Sequence, residues 1–326
     1  MKKKILVTGG GGYVGSALVP KLLQQGYEVN VIDLMIYGDT LPKSENLKIF
    51  KSDIRDINNL KLSLKNVDTV IHLACISNDP SFELDKGLGK KINFDIFEPM
   101  VAAAQEAKVR RFIYASSSSV YGVKKEKNVS EDMTLEPLTD YSKYKAMCEK
   151  ILLKYVSDNF TPVIIRPATV CGFSPRQRLD LVVNILSNLA FNKNKITVYG
   201  GPQLRPNIHI DDMVDAYLLM IEEETQKVSG QIFNVGYENQ SVSDLALTVK
   251  EVIGENVEIL TEPTDDNRSY HISSEKIYNE LGFKPKKTVK NAIEDLFKAF
   301  KNNKFKDPLT NEYYFNIKRM QNIKLK

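Results

Sequence analysis

Three glycines and one aspartate near the start of the chain have the types and the spacing of a dinucleotide-binding turn. Gly9, Gly12 and Gly15 separate an apolar run from an amphipathic segment. The first glycine permits a tight turn, the second lets backbone N–H groups approach phosphates, and the third lets a helix pack against a strand. Asp33 ends the next apolar run, where a carboxylate can bind both hydroxyls of an adenosine ribose and repels a 2′-phosphate. Residues 34–37 contain no Arg or Lys for that phosphate, so the pattern predicts NAD rather than NADP.

A tyrosine and a lysine further along the chain have the spacing of a general base and its activating cation. Tyr141 and Lys145 lie in a helical pattern that continues to about Val156, so both project from one helical face. Thr139 or Asp140 can cap this helix. An unperturbed tyrosine, with a pKa of about 10, is a poor base at neutral pH, and a nearby ammonium favours its ionised form. An isolated pair of this kind is typical of a helix surface, but its place downstream of a dinucleotide turn favours the catalytic interpretation.

The elements that must position these residues alternate between strand and helix. In the first half the patterns occupy residues 47–51 (strand), 57–64 (helix), 69–74 (strand), about 90–107 (helix) and 111–115 (strand). Alternation at this spacing predicts βαβ units and a doubly wound parallel α/β sheet. Ligands bind such sheets at the carboxyl ends of the strands, so the residues directly after each strand are the candidates for a site.

Composition narrows the class of protein. The chain has 326 residues, enough for a large core, and its 45 basic and 41 acidic residues are spread along it, so no nucleic-acid partner is predicted. Cys75, Cys148 and Cys171 are widely separated and form no CxxC motif, which predicts neither a disulfide framework nor a metal site. The N-terminal apolar run is too short for a signal peptide, and no run approaches the ~20 residues of a membrane helix. We therefore expect a cytoplasmic protein with no membrane partner.

Several motifs occur in an order that resembles a known family. They are Thr8-Gly9-x-x-Gly12-x-x-Gly15, Asp53-Ile54-Arg55, His72-Leu73-Ala74, Asn93, Ser116-Ser117-x-x-Val120-Tyr121-Gly122, Tyr141-x-x-x-Lys145 and Arg166-Pro167. From residue 3 to about residue 300 the chain resembles the extended short-chain dehydrogenase/reductases, specifically the NAD-dependent sugar-nucleotide epimerase/dehydratase family. The resemblance implies a Rossmann sheet with a smaller C-terminal α/β substrate domain, NAD as cofactor, a nucleotide-sugar substrate, and a homodimer formed through a helix pair that includes the Tyr141 helix.

The resemblance also implies domain boundaries and residue roles. The NAD-binding domain would comprise residues 1–168 with about 205–236, and the substrate-binding domain about 169–204 and 237–303, followed by a polar tail at 304–326. Tyr141 would be the base, Lys145 would lower its pKa and bind the nicotinamide ribose, and Ser117 would bind the reacting oxygen. Four consecutive serines leave the register of Ser117 open by one residue.

The implied binding residues form two groups. Those for NAD are Gly9, Gly12, Tyr13, Val14, Gly15, Asp33, Asp53 and Ile54 (on the adenine), Leu73, Ala74, Asn93 (bracing the catalytic helix), Tyr141, Lys145 and Pro167. Those for the nucleotide sugar are Ser77, Ser117, Ser118, Thr169, Arg176, Arg178, Asn184, Arg205 and Arg268, of which the arginines would bind phosphate. A solvated loop is the alternative for Arg176 and Arg178.

The type of reaction depends on two serines. Dehydratases of the family carry an acidic pair, Asp-Glu or Ser-Glu, after the serine that binds the reacting oxygen, whereas this chain has Ser118 and Ser119. We therefore expect an epimerase that acts through a transient keto-sugar at C4 in surface-polysaccharide biosynthesis. The loop at 175–184 resembles relatives that oxidise GDP-heptoses, so a 4-dehydrogenase is the alternative, and a non-catalytic NAD-binding module is a third.

The remaining features favour structural roles. His72 and His209 follow apolar strand patterns and are interpreted as structural residues. Helical patterns at 211–222, 242–253 and 288–300 complete the two domains. The tail from residue 301 either wraps the surface or joins an oligomer contact.

Overall fold

A computed structural model describes residues 3–265 and 268–326. The strands of this part of the chain are β1 (Lys4–Thr8), β2 (Glu28–Asp33), β3 (Leu47–Lys51), β4 (Thr69–His72), β5 (Arg111–Ala115), β6 (Thr161–Pro167), β7 (Thr169–Cys171), β8 (Lys195–Tyr199), β9 (Leu204–His209), β10 (Gln231–Val235), β11 (Glu238–Ser241) and β12 (Glu258–Glu262). The helices are α1 (Gly15–Gln24), α2 (Ile57–Ser63), α3 (Asp79–Phe82), α4 (Lys86–Lys90), α5 (Phe97–Glu106), α6 (Asp140–Leu153), α7 (Val182–Lys193), α8 (Ile210–Glu222), α9 (Thr225–Val228), α10 (Val242–Ile253), α11 (Glu275–Leu281), α12 (Val289–Lys301) and α13 (Asn316–Ile323).

A seven-stranded parallel sheet organises the N-terminal half. Its strand order is β10-β6-β5-β4-β1-β2-β3. Successive strands are therefore added outward from β1 to one edge and outward from β4 to the other, and β1 and β4 are neighbours. The register pairs Thr8 at the end of β1 with Ile32 of β2 on one side and with His72 of β4 on the other. The three following loops therefore open at one edge, which is where doubly wound sheets bind ligands. The predicted doubly wound α/β fold is confirmed.

The strands of this sheet are buried on both faces. Ile5, Leu6 and Val7 of β1 are fully buried, and side chains from the two faces belong to separate apolar clusters. Continuous apolar strands are the pattern expected when helices cover both sides of a parallel sheet. This double cover keeps the strand ends, and the loops that follow them, in fixed positions.

The predicted elements need two local corrections. The strand pattern at 69–74 ends at His72, and Leu73 and Ala74 already belong to the loop at the cavity. The single helix expected at about 90–107 is divided into α4, a π-helical turn at Lys91–Asp95 and α5. Asn93 lies in the π-helical turn, where its side chain bonds the backbone of a neighbouring loop instead of facing solvent.

The second half of the chain builds a smaller α/β unit beside the sheet. Strands β8 and β12 pair in parallel, β9 pairs with both β7 and β11, and helices α7, α10 and α12 pack on one another around their own apolar cluster. Strand β10 returns to the large sheet beside β6. The domain boundaries given above stay a prediction. No helix in the described ranges combines the length and the apolar character needed to cross a membrane.

Candidate active site

A cavity of about 520 Å³ lies at the carboxyl ends of the central strands. The glycine turn after β1, the loops after β2, β4 and β5, the start of α6, the segment at 167–182 and the end of the chain all line it. Of the residues predicted to bind cofactor or substrate, all except Asn93 and Asn184 line this one cavity. Their roles remain predictions, but the fold brings them together.

The glycine turn has the geometry of a phosphate cradle. Gly9 has φ +72°, and a Cβ there would lie 2.6 Å from the backbone nitrogen of Ala74. A Cβ on Gly15 would lie 2.5 Å from the carbonyl oxygen of Gly9. Larger residues would therefore displace the start of α1, whose helix dipole favours an anion. This arrangement fits the diphosphate of NAD.

Asp33 stands at the ribose end of the same cradle. Its carboxylate accepts hydrogen bonds from the backbone N–H groups of Gly11 at 2.9 Å and Met35 at 2.7 Å. Burial raises the pKa of Asp33, and these two hydrogen bonds oppose that change. The side chain is thus held in one orientation at the end of β2, as ribose recognition requires.

Tyr141 and Lys145 lie one turn apart on α6, and both line the cavity. The helix is capped by Thr139, whose hydroxyl accepts a hydrogen bond from the backbone N–H of Ser142. Lys145 donates a hydrogen bond from Nζ to the carbonyl oxygen of Ala115 at 2.6 Å. The ammonium is therefore fixed against the end of β5, 5.8 Å from the centre of the Tyr141 ring.

The hydroxyl groups of Ser116 and Ser117 have different partners in the structure. All four serines at 116–119 line the cavity, but the Ser116 hydroxyl donates to the buried Glu149, whereas the Ser117 hydroxyl lies 2.8 Å from that of Ser119. Ser116 is therefore committed to the scaffold. The geometry supports the predicted assignment of Ser117, not Ser116, to the reacting oxygen.

Burial raises the pKa of Tyr141 well above the usual value for tyrosine. Nearby Cys75 and Asp79 raise this pKa further, whereas the Arg178 guanidinium and a hydrogen bond from Ser117 lower it. Without added positive charge in the cavity the tyrosine holds its proton. A cationic nicotinamide beside the ring is the kind of group that would favour the phenolate.

A buried ion pair supports the loop that contains Ser116 and Ser117. Arg166 bonds Glu149 through Nε at 3.0 Å and Nη2 at 2.7 Å, and the two side chains are 3% and 2% exposed. Arg166 also donates to the Tyr121 hydroxyl at 2.7 Å. Since Glu149 accepts from Ser116, this network joins α6, β6 and the serine loop in one hydrogen-bonded unit.

The two arginines of the segment at 174–180 are buried and face different parts of the cavity. The Arg176 guanidinium stacks on the Tyr37 ring at 3.6 Å from its centre, on the Asp33 side. Arg178 bonds Asp180 at 2.8 Å and Ser77 at 3.1 Å, on the Tyr141 side. The alternative of a solvated loop is wrong, because both side chains are more than 90% buried.

Each of these arginines keeps a free donor. Arg176 Nε and Arg178 Nη2 are buried and have no hydrogen-bond partner among the described residues. Buried guanidinium N–H groups rarely remain unpaired unless a ligand or water takes them. Both arginines line the cavity that contains the glycine cradle, and two cations there fit a ligand that carries phosphates.

Two further arginines approach from the smaller unit. Arg268 pairs with Asp79 at 2.8 Å, and Arg205 donates to the Arg268 carbonyl oxygen at 2.5 Å. The Arg205 guanidinium also lies 5.5 Å from the centre of the Tyr270 ring. Both arginines line the cavity, at the end opposite Asp33 and beside the start of α3, so they remain candidates for the nucleotide-sugar diphosphate.

Two predicted residues lie outside the cavity wall. Asn184 is fully buried in α7 and donates to the Tyr13 hydroxyl and the Arg178 carbonyl oxygen, so the prediction that it contacts substrate is wrong in location. Its bonds hold the arginine loop instead. Asn93 bonds both backbone groups of Ile76 and accepts from Cys148 of α6, so it braces the helix as expected but does not reach the cofactor cavity.

The histidines have structural roles. His72 is buried between aromatic rings, with Nδ1 2.7 Å from the Thr8 hydroxyl, and burial lowers its pKa to about 3. His209 caps α8 through its Nδ1. It lies near Asp211 and Asp295, whose carboxylates already pair with Lys287 at 2.5 and 3.5 Å, so an ammonium stands where a metal ion would.

Sequence reasoning missed the contribution of the tail. Asn316, Met320 and Leu325 line the cavity, and Tyr37 and Asp79 complete its wall from the first half. The tail therefore does more than wrap the surface. Its polar composition carries no signal for this placement, because the contacts join residues far apart in the sequence.

Comparisons with known proteins agree with this geometry. Residues 5–236 match the NAD dependent epimerase/dehydratase family. The UDP-glucose 4-epimerase of Lactobacillus helveticus is 27% identical over 87% of this chain and 92% of its own, and the dTDP-D-glucose 4,6-dehydratase of Bos taurus is 30% identical over 92% and 89%. Among solved structures, the UDP-glucuronic acid 4-epimerase of Bacillus cereus, in complex with UDP-glucuronic acid and NAD, superposes with a TM-score of 0.81 at 25% identity, covering 92% of this chain and 99% of that chain.

Proposed function

This chain belongs to the NAD-dependent epimerase/dehydratase family and is an NAD-using enzyme of that family, and we propose that it is a sugar-nucleotide epimerase acting at C4. The reaction would oxidise the C4 hydroxyl to a ketone and reduce the ketone from the other face. The nucleotide and the sugar are not specified by this proposal.

In the proposed reaction Tyr141 takes the proton from the sugar hydroxyl while Ser117 donates a hydrogen bond to the same oxygen. The chemistry that NAD would supply in this cavity is reversible hydride transfer with that carbon. Lys145 and Arg178 place two positive charges near the Tyr141 ring, and these favour the phenolate against the effect of burial. The same tyrosine returns the proton when the ketone is reduced.

The observation that carries the proposal is a cavity with a base but no free acid. Among the described residues its carboxylates are Asp33, Asp53, Asp79 and Asp180, all four held by hydrogen bonds or ion pairs within the protein. A 4,6-dehydration needs an acid for the leaving hydroxyl and a base for the neighbouring C–H. Serines at 118 and 119 supply neither, which favours epimerisation over dehydration.

Two finer proposals accompany this reaction. The resemblance of the loop at 175–184 to relatives from capsule and lipopolysaccharide pathways supports a role in surface-polysaccharide sugar synthesis. We also propose a homodimer through α6, which leaves Met147 43% exposed on its outer face. Size-exclusion chromatography with light scattering measures the molar mass of the protein in solution. A Met147→Glu variant should change it from that of a dimer to that of a monomer.

Proton NMR of the purified enzyme with a panel of UDP-, GDP-, CDP- and dTDP-sugars, without added NAD, tests the proposal. A new anomeric signal that grows to an equilibrium ratio supports an epimerase and names its substrate. A keto-sugar that forms only with added NAD or an electron acceptor would replace the proposal with a 4-dehydrogenase. Loss of the 6-hydroxyl, visible as a new methyl signal, would indicate a dehydratase.

A further inference from the structure

The end of the chain forms part of the cavity wall at the adenosine end. The last helix of the smaller unit, α12, ends at Lys301. Helix α13 follows it and packs on one face of the large sheet. Met320 is 6% exposed and belongs to the apolar cluster of Ile32 and Ile54, and Leu325 packs against the same cluster. Helix α13 packs on α3, and Met320 and Leu325 line the same cavity as Ile32 and Ile54, which lie at the end of β2 and just after β3.

Polar contacts fix the tail in that place. Asn316 donates from its backbone to Asp180 at 2.8 Å and from its side chain to Ser77 at 3.1 Å. At the last residue, the Lys326 carbonyl oxygen accepts a hydrogen bond of 2.6 Å from Arg55, which is itself paired with Asp53. The tail is therefore tied at its start to Ser77 and Asp180 and at its end to the loop after β3.

Arg176 joins the tail to the glycine turn. Its backbone N–H donates to the Ser16 hydroxyl at 3.0 Å, and its Nη2 donates to Asn316 Oδ1 at 2.7 Å. The guanidinium lies flat on Tyr37, in the segment directly after Asp33. The side chain lines the cavity, is 3% exposed, and has a buried Nε with no hydrogen-bond partner among the described residues.

We propose that Arg176 and the three C-terminal residues that line the cavity, Asn316, Met320 and Leu325, form a second half of the NAD site, enclosing the adenosine diphosphate part of the cofactor. Arg176 donates its free N–H to an oxygen of the ribose or diphosphate, and Asn316 holds the guanidinium in position. NAD bound in this way exchanges slowly with solvent. This reassigns Arg176, predicted above to bind the sugar nucleotide, to the cofactor.

Three positions favour the cofactor over the sugar nucleotide. Arg176 contacts Ser16 of the glycine-turn helix and Tyr37, and its charge acts on the Asp33 carboxylate. Arg178, two residues later, contacts Ser77 and acts on the pKa of Tyr141 instead. Arg176 therefore lies nearer Asp33 and Arg178 nearer Tyr141, and both charges also act on Tyr37.

Dissociation of NADH measures the proposal without turnover. The full-length protein is loaded with NADH and mixed with excess NAD, and the loss of NADH fluorescence gives the dissociation rate. Arg176→Ala should raise this rate about tenfold or more, as expected for loss of a charge-assisted hydrogen bond. Arg176→Lys, which keeps the charge but not the planar fork, should recover only part of the effect.

Asn316 supplies a matched pair of variants within one helix. Asn316→Ala should raise the NADH dissociation rate. Asn322→Ala, on the same helix, removes only an exposed contact with Glu312 and should not raise it. If Arg176→Ala does not fold, as judged by its thermal unfolding, the comparison of these two asparagine variants decides. Equal NADH dissociation rates for the two would overturn the proposal.

Nucleotide binding distinguishes the competing assignment. Calorimetry with UDP and GDP on the NAD-loaded protein should give the same affinities for wild type and Arg176→Ala. Weaker UDP or GDP binding with an unchanged NADH dissociation rate would return Arg176 to the substrate side and overturn the proposal. The NADH measurement does not depend on the epimerase reaction, so its outcome and that of the NMR panel are separate.

Discussion

The ammonium nitrogen of Lys145 lies 5.8 Å from the centre of the Tyr141 ring, held there by its hydrogen bond to the Ala115 carbonyl oxygen. That bond ties the cation to the last residue of β5, so the distance between the two side chains is set by the packing of α6 on the sheet. The proposed base on the first turn of a capped helix and the cation on the next turn are therefore held at a fixed separation.

Removing the phenol tests the base. Tyr141→Phe should lower turnover by a factor of about 10² or more, the usual contribution of a general base, with NAD binding largely intact. Tyr144→Phe is the matched control. Tyr144 lies on the same helix as Tyr141, but its ring packs on Phe94 and does not line the cavity. Turnover near the wild-type rate in Tyr141→Phe would show that another group takes the proton.

Asp33 should set the choice between NAD and NADP. Asp33→Ala removes the ribose carboxylate and leaves the Arg176 cation nearby, so NAD binding should weaken and NADP binding should improve relative to it. Fluorescence titration with NADH and NADPH gives the ratio of the two dissociation constants. Asp39→Ala, which loses only an exposed bond to Leu41, should leave the ratio unchanged, and an unchanged ratio in Asp33→Ala would mean that another residue reads the ribose.

The buried pair of Glu149 and Arg166 should be essential for stability. Glu149→Ala leaves a buried guanidinium without its partner, which should lower the free energy of unfolding by about 3–5 kcal/mol. Glu106→Ala, which breaks an exposed pair with Lys61, should cost about 1 kcal/mol or less. Urea denaturation followed by circular dichroism compares them, and similar losses for the two variants would contradict the assigned role.

His72 should make stability depend on pH. Its pKa in the folded protein, about 3, lies below the 6.5 of the unfolded chain, so the unfolded state binds more protons between these values. Stability is therefore complete above pH 6.5 and falls as the pH decreases, by up to about 1.4 kcal/mol per pH unit from this one group.

The pH dependence of His72→Asn should be correspondingly shallower between pH 6.5 and 4.5. His271→Asn serves as the control, since His271 makes an exposed contact with the Glu126 carbonyl oxygen. Urea unfolding at several pH values measures both slopes. A slope in His72→Asn equal to that of wild type would assign the acid sensitivity to other groups.

Local patterns predicted much of the active site. The glycine turn, Asp33 and the pair Tyr141 and Lys145 are short-range patterns, and each depends on a conformational or chemical preference that acts within a few residues. The alternation of strands and helices then places the residues that follow each strand at one edge of the sheet. The sequence therefore contained the cavity's central residues before any contact between distant segments was known.

Asn184 and the two arginines show where this reasoning ends. Asn184 stands near the arginines in the sequence, yet its side chain turns into the core and bonds the loop from behind. Arg176 and Arg178 share one loop, but Arg176 stacks on Tyr37 whereas Arg178 bonds Ser77. The rotamer and the burial of a side chain depend on the residues packed around it, and the spacing of residues in the sequence does not predict them.

By itself, the sequence determined the family, the fold class and the cofactor and supplied the proposed catalytic pair, because these follow from local conformational preferences and ordered motifs. Only the tertiary structure decided that Ser116 belongs to the scaffold and that the tail completes the cavity. Arg176 and Asn316 are 140 positions apart, yet 2.7 Å separates their bonded atoms. Contacts of that range are fixed by how the whole core packs, so no local pattern in the chain predicts them.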